Sequence, residues 1–396
     1  MRILTTLTYY RPHYSGLTIY AERVARSLAS RGHHITVLTS KYDDLLQSRE
    51  MQGGVQIIRL RVLFRISKGV IMPGMLPTAY QIIRDADIVH LHVPQLDAAP
   101  VSLLSKLLKK PIVLTYHCDL QLPAGFIHTI ANKFSNLANH ITANSADTIV
   151  TNTLDYANNS PFLSRYINKV HQILPPIELT PINKTDLSAF RDKYNIAPEQ
   201  NIIGMAARLV TEKGVEYLAR ALPKVLEQFP NARVFFVGPY QNIIGEGNYT
   251  RSLMPIIDQL GDHWSFLGIL SPVEMSAFFH ECEVTVLPSI NSTESYGMVQ
   301  VESMISGTPV VCSNLPGVRV PVEMTGMGKV VPAANSNQLA SAIIDLLSQP
   351  TKYKGNLEAI TIPSDPDFVA GEYEKIFHDL IYSSHKSSQK MSRKTT

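Results

Sequence analysis

MRILTTLTYYRPHYSGLTIYAERVARSLASRGHHITVL, residues 1–38, begins with an apolar run at 2–7 and passes through a loop. It then repeats Leu17, Tyr20, Ala21, Val24 and Leu28 at helical spacing up to Gly32, before a second apolar run at 35–38. A buried strand, a helix closed by glycine and another buried strand make a βαβ unit. Outward from it, strands are expected at 56–60, 88–91, 112–116 and 141–143, with helical stretches such as 101–108 between them. This alternation predicts an α/β fold with a parallel sheet covered on both faces.

At residues 174–183 the text becomes LPPIELTPIN, where three prolines break any helix and mark a linker. A second alternation follows. Strands are expected at 202–206, 234–237 and 284–287, and a helix at 215–226 with Leu218, Leu222, Val225 and Leu226 on one face. Ser271-Pro-Val-Glu274 is a capping box with proline at the first helical position, predicting a helix to about His280. The expected organisation is two Rossmann-like domains, 1–180 and 181–365. A helix over 366–382, striped by Val369, Tyr373, Ile376, Phe377 and Leu380, needs a groove to cover, and 383–396 forms a disordered basic tail.

The chain has 396 residues, enough for two to three domains with cores of their own. Charged residues make up 17%, too few for charge-driven disorder. Lys386, Lys390, Arg393 and Lys394 in the tail exceed the whole net charge of +3, leaving the body slightly acidic. A basic face for nucleic acid is therefore not expected. Cys118, Cys282 and Cys312 are odd in number, far apart and without a CxxC, which argues against a disulfide framework or a zinc site and for a reducing, cytoplasmic setting. No leader and no apolar run of membrane-spanning length is evident.

The chemistry concentrates at Pro288-Ser-Ile-Asn-Ser-Thr-Glu294-Ser-Tyr-Gly297-Met-Val-Gln-Val-Glu302-Ser-Met-Ile-Ser-Gly307-Thr-Pro309. A strand ends at Leu287, a polar loop follows, and a helix starts near Gly297. Free N–H groups at a helix start after a strand favour phosphate. Glu302 lies five residues further, about 7.5 Å along the axis, the step from a phosphate to a ribose. Glu294 stands ahead of the helix, placed for sugar hydroxyls. Spacing alone leaves these two acids equally open to being ordinary surface carboxylates. Arg208 and Lys213, again after a strand and before a helix, favour the ligand, because two cations there can stabilise a departing diphosphate without a metal. The alternative for them is a surface salt bridge with Glu212 or Glu216.

Arg208-x4-Lys213-Gly214, then Glu294-x7-Glu302 enclosing Tyr296-Gly297, then Gly307-Thr-Pro309-Val, resembles the retaining glycosyltransferases of family 4, which have the GT-B fold of two Rossmann-like domains facing across a cleft. The likeness extends to the first βαβ unit, Asp87-Ile-Val-His90, Thr115-Tyr-His117 and the closing helix, and implies that domain 1–180 binds the acceptor, domain 181–365 the nucleotide sugar, and that the helix over 366–382 crosses back onto the first domain. It implies that Arg208 and Lys213 hold the donor diphosphate, Glu302 the ribose and Glu294 the hydroxyls of the transferred sugar. Ser295, Tyr296, Gly297 and Met298 complete the donor loop. Gly268 and Ile269 meet the base, Gly16 lines the phosphate or acceptor side, and His117 faces the sugar.

The implied reaction moves a hexosyl group from a UDP- or GDP-sugar to a hydroxyl of a glycan or lipid-linked acceptor, by a front-face route that keeps the anomeric configuration and needs no metal or cofactor. Two departures stand out. The family often has two glycines where this chain has Gly16-Leu17, and an Asn-Gly turn where it has Pro175-Pro176.

Other signals carry less. Asp85-Ala-Asp87 matches the DxD of metal-dependent transferases of another fold, but its place before a strand favours a helix end. His90 and His92 share a strand face and lack a third metal ligand. His117 and Cys118 are neighbours on opposite faces, unsuited to a thiol–imidazole pair. Glu294 and Glu302 as a hydrolase's carboxylate pair would leave the cations unexplained; a catalytically silent sugar-nucleotide-binding subunit is the other alternative. The mixed runs from Arg59 to Lys68 and from Leu103 to Lys110 suit anionic lipid, though ordinary surface is the favoured reading.

Overall fold

A computed structural model describes the chain except residues 67–68, 120–125, 242, 244–245 and 393–396; for 66, 126–132, 385 and 387–392 it describes only the backbone. The chain divides into two units, Met1–Pro176 with Pro363–Thr396, and Ile177–Ile362. The first break falls inside the proline-rich linker, four residues before the expected boundary.

In unit 1 the strands are β1 (Arg2–Thr6), β2 (His34–Lys41), β3 (Arg49–Gln52), β4 (Val55–Arg61), the short β5 (Phe64–Ile66) and β6 (Gly69–Ile71), β7 (Ile88–Val93), β8 (Ile112–Tyr116), β9 (Thr148–Thr151) and β10 (Val170–Gln172). Eight of them form one sheet in the order β10-β9-β8-β7-β1-β2-β4-β3. Every pairing is parallel except β3 with β4, while β5 and β6 pair as a separate antiparallel hairpin. β7 and β8 are buried along their whole length, as strands covered on both faces must be.

The strand expected at 141–143 is not one. Those residues close the helix Phe126–Ser145, where the Thr142 hydroxyl donates to Ala138 O at 2.8 Å and Ala143 is buried. The chain reaches the sheet only after Asp147, whose carboxylate accepts from Ile112 N at 2.8 Å, and β9 follows. Asp85 and Asp87 behave as a helix end and a strand start: the helix Met75–Asp85 stops there, and Asp87 accepts from Arg2 N at 2.7 Å.

Unit 2 contains β11 (Asn201–Ala206), β12 (Ala232–Val237), β13 (Trp264–Gly268), β14 (Val284–Leu287), β15 (Val310–Ser313) and β16 (Gly328–Val331), all parallel, in the order β13-β12-β11-β14-β15-β16. The helix Val215–Leu226 buries Leu218, Leu222 and Val225 against this sheet, and Pro272–Glu281 starts with the expected Ser271–Glu274 capping box.

The last helix runs Pro366–Ser392, ten residues beyond the Tyr382 at which the sequence ends it. Its buried Val369, Tyr373 and Phe377 cover unit 1. Tyr373 OH bonds Tyr20 OH and Thr115 Oγ1, each at 2.7 Å, and Arg31 grips Asp367 and Glu374, each at 2.8 Å. Among the described residues no helix is long and apolar enough to cross a membrane.

Candidate active site

In unit 2 the chain order reverses between β11 and β14, which lie side by side. The loops after them leave in opposite directions, so the crevice at their carboxyl ends is where a parallel sheet receives ligands. Both expected groups of residues sit there. The loop after β11 turns through Thr211–Lys213 to Gly214 at φ +64°, and an ideal Cβ on Gly214 would lie 2.1 Å from Pro288 O. Ile290 N donates to Glu212 O at 3.1 Å, tying the loop after β11 to the loop after β14.

Across this junction the Lys213 ammonium donates to the Glu294 carboxylate. Neither group is buried outright, with side chains 22% and 15% exposed, so solvent or a ligand can reach both. The Ser289 hydroxyl lies 3.5 Å from the same carboxylate. Arg208 is 42% exposed and stands 3.7 Å from Glu212, so the salt-bridge alternative holds for it in this state, at a separation too long for a hydrogen bond. Lys213 pairs with neither Glu212 nor Glu216 but with the expected sugar-binding acid.

Gly297 begins the helix Met298–Ile305 at φ +82°, with no side chain capping the first turn. A Cβ on Gly297 would meet Leu287 Cδ2 at 2.3 Å, so glycine is required by both backbone and space. Ser295 and Tyr296 are buried. The amides of Met298 and Val299 therefore stand without a side-chain cap at the positive end of the helix, while Gln300 N donates to Gly297 O at 3.1 Å. Glu302 is half-buried further along the same helix.

Gln300, which the sequence reading passed over, is fully buried, and its NH2 donates to Tyr296 O and to Val318 O, the latter at 2.9 Å. It fixes the loop that presents Gly297. A glutamine three residues after a helix-opening glycine was the signal available in the sequence. Gly268 ends β13 at φ +71°, its carbonyl accepting from Gly238 N at 2.8 Å, with open space where a Cβ would point; Ile269 beside it is exposed.

In unit 1, His117 follows β8, its amide bonded to Val93 O at 3.1 Å. Its Nε2 lies 2.9 Å from His92 Nδ1 with the rings stacked, and Tyr20 meets it edge-on. Burial pushes His117 and His90 down to about 3 and His92 well below its usual value, so all three are neutral. His90 bonds Thr115 Oγ1 at 2.7 Å.

Gly16 opens the helix Gly16–Ser30 behind Ser15, which forms a capping box with Thr18. That side chain already takes one first-turn amide. Of the mixed cationic runs, Arg59 does not face outward. It is buried, donating to Gln47 O, to Arg11 O at 2.7 Å and to Glu50 at 2.6 Å. Lys106 pairs with Asp147 at 2.6 Å, and Lys68 lies outside the described residues.

Two family models match the chain, Glycosyltransferase Family 4 over residues 14–155 and Glycosyl transferases group 1 over 187–359. The chain belongs to the family 4 glycosyltransferases. It is 24% identical to an uncharacterized glycosyltransferase of Methanocaldococcus jannaschii, over 88% of this chain and 89% of that one. It is also 25% identical to the D-inositol 3-phosphate glycosyltransferase of Acidothermus cellulolyticus, over 84% and 78%. A shorter match, 36% identical over 34% of each chain, is to the phosphatidyl-myo-inositol mannosyltransferase of Mycobacterium leprae.

Among solved structures, sucrose-phosphate synthase from Thermosynechococcus elongatus superposes with a TM-score of 0.76 at 19% identity, covering 96% of this chain and 99% of that one. HepE of Anabaena, in complex with UDP and glucose, does so with 0.73 at 20% identity and the same coverage. This glycosyltransferase therefore has the GT-B fold.

Proposed function

We propose that the enzyme transfers a hexosyl group from a UDP- or GDP-sugar to a hydroxyl of a glycan or lipid-linked acceptor, with retention and without a metal. The observation that carries this is the Lys213–Glu294 contact beside the uncapped helix start at Gly297. A cation, a carboxylate and free amides converge where the sheet receives ligands, which suits a diphosphate joined to a sugar. Without donor, Lys213 and Glu294 compensate each other. An arriving diphosphate takes over as the counter-ion of Lys213, with Arg208 swinging from its loose contact with Glu212, and frees Glu294 to accept from sugar hydroxyls. Glu302 takes the ribose diol, and the turn at Gly268 and Ile269 the base. By family likeness His117 serves the transferred sugar and Gly16 the phosphate or acceptor side. The names of the inositol-phosphate and phosphatidylinositol relatives support a hydroxyl acceptor, and the HepE complex supports a nucleotide donor.

In the reaction the acceptor oxygen bonds to the anomeric carbon as the bond from that carbon to the phosphate oxygen breaks. The acceptor's proton passes to the departing oxygen, and the nucleoside diphosphate leaves. Lys213 and the helix amides stabilise the charge that grows on that oxygen. The small number and wide spacing of the cysteines, Cys118, Cys282 and Cys312, support a cytoplasmic location.

Purified protein warmed with a panel of UDP- and GDP-sugars should show donor-dependent protection, and slow donor hydrolysis without acceptor would separate an enzyme from a silent binder. Lys213→Ala should lower turnover by ~10²–10³-fold, the usual loss for one such donor, without unfolding the chain. Unchanged kinetics would remove Lys213 from the mechanism, and indifference to the whole panel would exclude nucleotide sugars.

A further inference from the structure

The unit 1 sheet has its own reversal point, since the chain runs outward from β1 to β2 on one side and to β7 on the other. The carboxyl ends of β1 and β7 form the matching crevice. Thr6 ends β1, and β7 is followed by the turn Val93-Pro94-Gln95-Leu96-Asp97, closed by Ala98 N donating to Gln95 O at 3.3 Å. His117 is adjacent through its amide bond to Val93 O.

Two side chains on this turn have groups that no atom among the described residues satisfies. Gln95 is only 6% exposed. Its Oε1 accepts from the Thr6 hydroxyl at 3.3 Å, which fixes the carboxamide, while its NH2 is buried without a partner. Asp97 stands at the cap position of the helix Ala98–Leu107, where an aspartate ordinarily accepts a first-turn amide, yet its side chain makes no capping bond. It has no ion pair among the described residues, and burial alone raises its carboxyl to about 6. Native proteins rarely leave a buried polar group unmet, as the Gln95 NH2 is, and the half-buried Asp97 carboxylate, open to solvent or a ligand, lies two residues away.

We propose that Gln95 and Asp97 form a hydroxyl-binding pair for a neutral sugar or polyol acceptor. A hydroxyl both donates and accepts, so neighbouring hydroxyls can take the Gln95 NH2 with one oxygen and give a hydrogen to Asp97 with the other. The Asp97 charge would repel a phosphate or carboxylate at the same spot, so the part of the acceptor held there is uncharged. The assignment rests on glycosyl transfer as proposed above and adds the chemical class of the acceptor's reacting end.

The test uses the full-length enzyme, its Gln95→Leu and Asp97→Asn variants, and myo-inositol, methyl α-mannopyranoside and glycerol as probes, with myo-inositol 1-phosphate alongside. Saturation-transfer NMR reads probe binding without any donor, and steady-state transfer reads KM against kcat. Binding of at least one neutral probe to the wild type is expected, with KM raised tenfold or more in each variant and kcat changed far less. Asp97→Asn should also raise Tm, because it removes an unpaired charge, an effect that a merely structural aspartate would not give. If Gln95→Leu fails to fold, Asp97→Asn decides alone. Neutral probes that do not bind, or that bind both variants as they bind the wild type, would overturn the pair. A wild type indifferent to every nucleotide sugar but still binding polyols through Gln95 and Asp97 would overturn glycosyl transfer instead.

Discussion

Replacing Gly214 by alanine should uncouple the two loops of the donor site, and Gly326→Ala provides the control. Both glycines are left-handed, Gly214 at φ +64° and Gly326 at φ +70°, so an L-residue costs about 1 kcal/mol of backbone strain at either. They differ in what the new methyl meets. At Gly326 nothing lies within 4 Å; at Gly214 the Cβ falls 2.1 Å from Pro288 O and 3.0 Å from Ile290 Cγ2. Relieving that overlap requires one loop to move, an overpacking cost of about 1–3 kcal/mol added to the strain. In a unit spanning Ile177–Ile362, roughly 2–4 °C of Tm accompanies each kcal/mol. Gly326→Ala should therefore lose about 2–4 °C and Gly214→Ala about 4–16 °C. The movement also separates Ile290 N from Glu212 O and Lys213 from Glu294, so donor-dependent protection should vanish in Gly214→Ala and persist in Gly326→Ala. Thermal melts with and without nucleotide sugar read both effects. Equal losses of Tm in the two variants, with donor protection intact in both, would refute the coupling of these loops.

Tyr373→Phe removes a hydroxyl that bonds both Tyr20 and Thr115 inside unit 1, and should cost about 1–3 kcal/mol by leaving two buried hydroxyls short of a partner; a urea midpoint equal to that of the wild type would show that the network is dispensable. Acid should destabilise the protein through its histidines. His90 and His117 are held down to about 3 by burial against 6.5 when exposed, so the unfolded chain binds protons first. The stability they contribute is complete above pH 6.5 and is lost as pH falls from 6.5 towards 3, at up to ~1.4 kcal/mol per pH unit for each histidine. Urea midpoints between pH 7 and 4.5 should fall, and fall less steeply in His90→Asn; identical slopes would discount His90.

The sheet alternation was legible because fully buried strands are written as unbroken apolar runs, as at Ile112–Tyr116 and Val284–Leu287. Residues 141–143 misled for the same reason, since a short Ile-Thr-Ala run is compatible with either a strand or the end of a helix, and packing decides. Lys213 and Glu294 were legible as charges stranded after strands, but their contact spans 81 residues of sequence and is made by the adjacency of β11 and β14. Arg59 shows the limit of periodicity. It shares a strand face with Arg61 by the alternation rule, yet Arg59 is buried and Arg61 exposed, because Arg59 finds acceptors at Arg11, Gln47 and Glu50. Gln95 and Asp97 belong to no pattern at all. What singles them out is what they fail to bond, which sequence cannot record.

The reversal points of the two sheets hold chemically opposite surfaces, and the difference follows from what each would bind. A diphosphate brings negative charge, so its site needs cations, and cations beside a sheet end need counter-ions until the ligand arrives; Lys213 has Glu294 and Arg208 has Glu212. A neutral polyol brings only hydroxyls, which compete with water and gain little from a site whose polar groups are already matched. Such a site binds best when its donors and acceptors are unmatched beforehand, as the Gln95 NH2 and the Asp97 carboxylate are, beside histidines kept neutral by burial. Charge already balanced in one unit, and an amide and a carboxylate left unmatched in the other, are thus what the proposed donor and acceptor, one ionic and one neutral, each require.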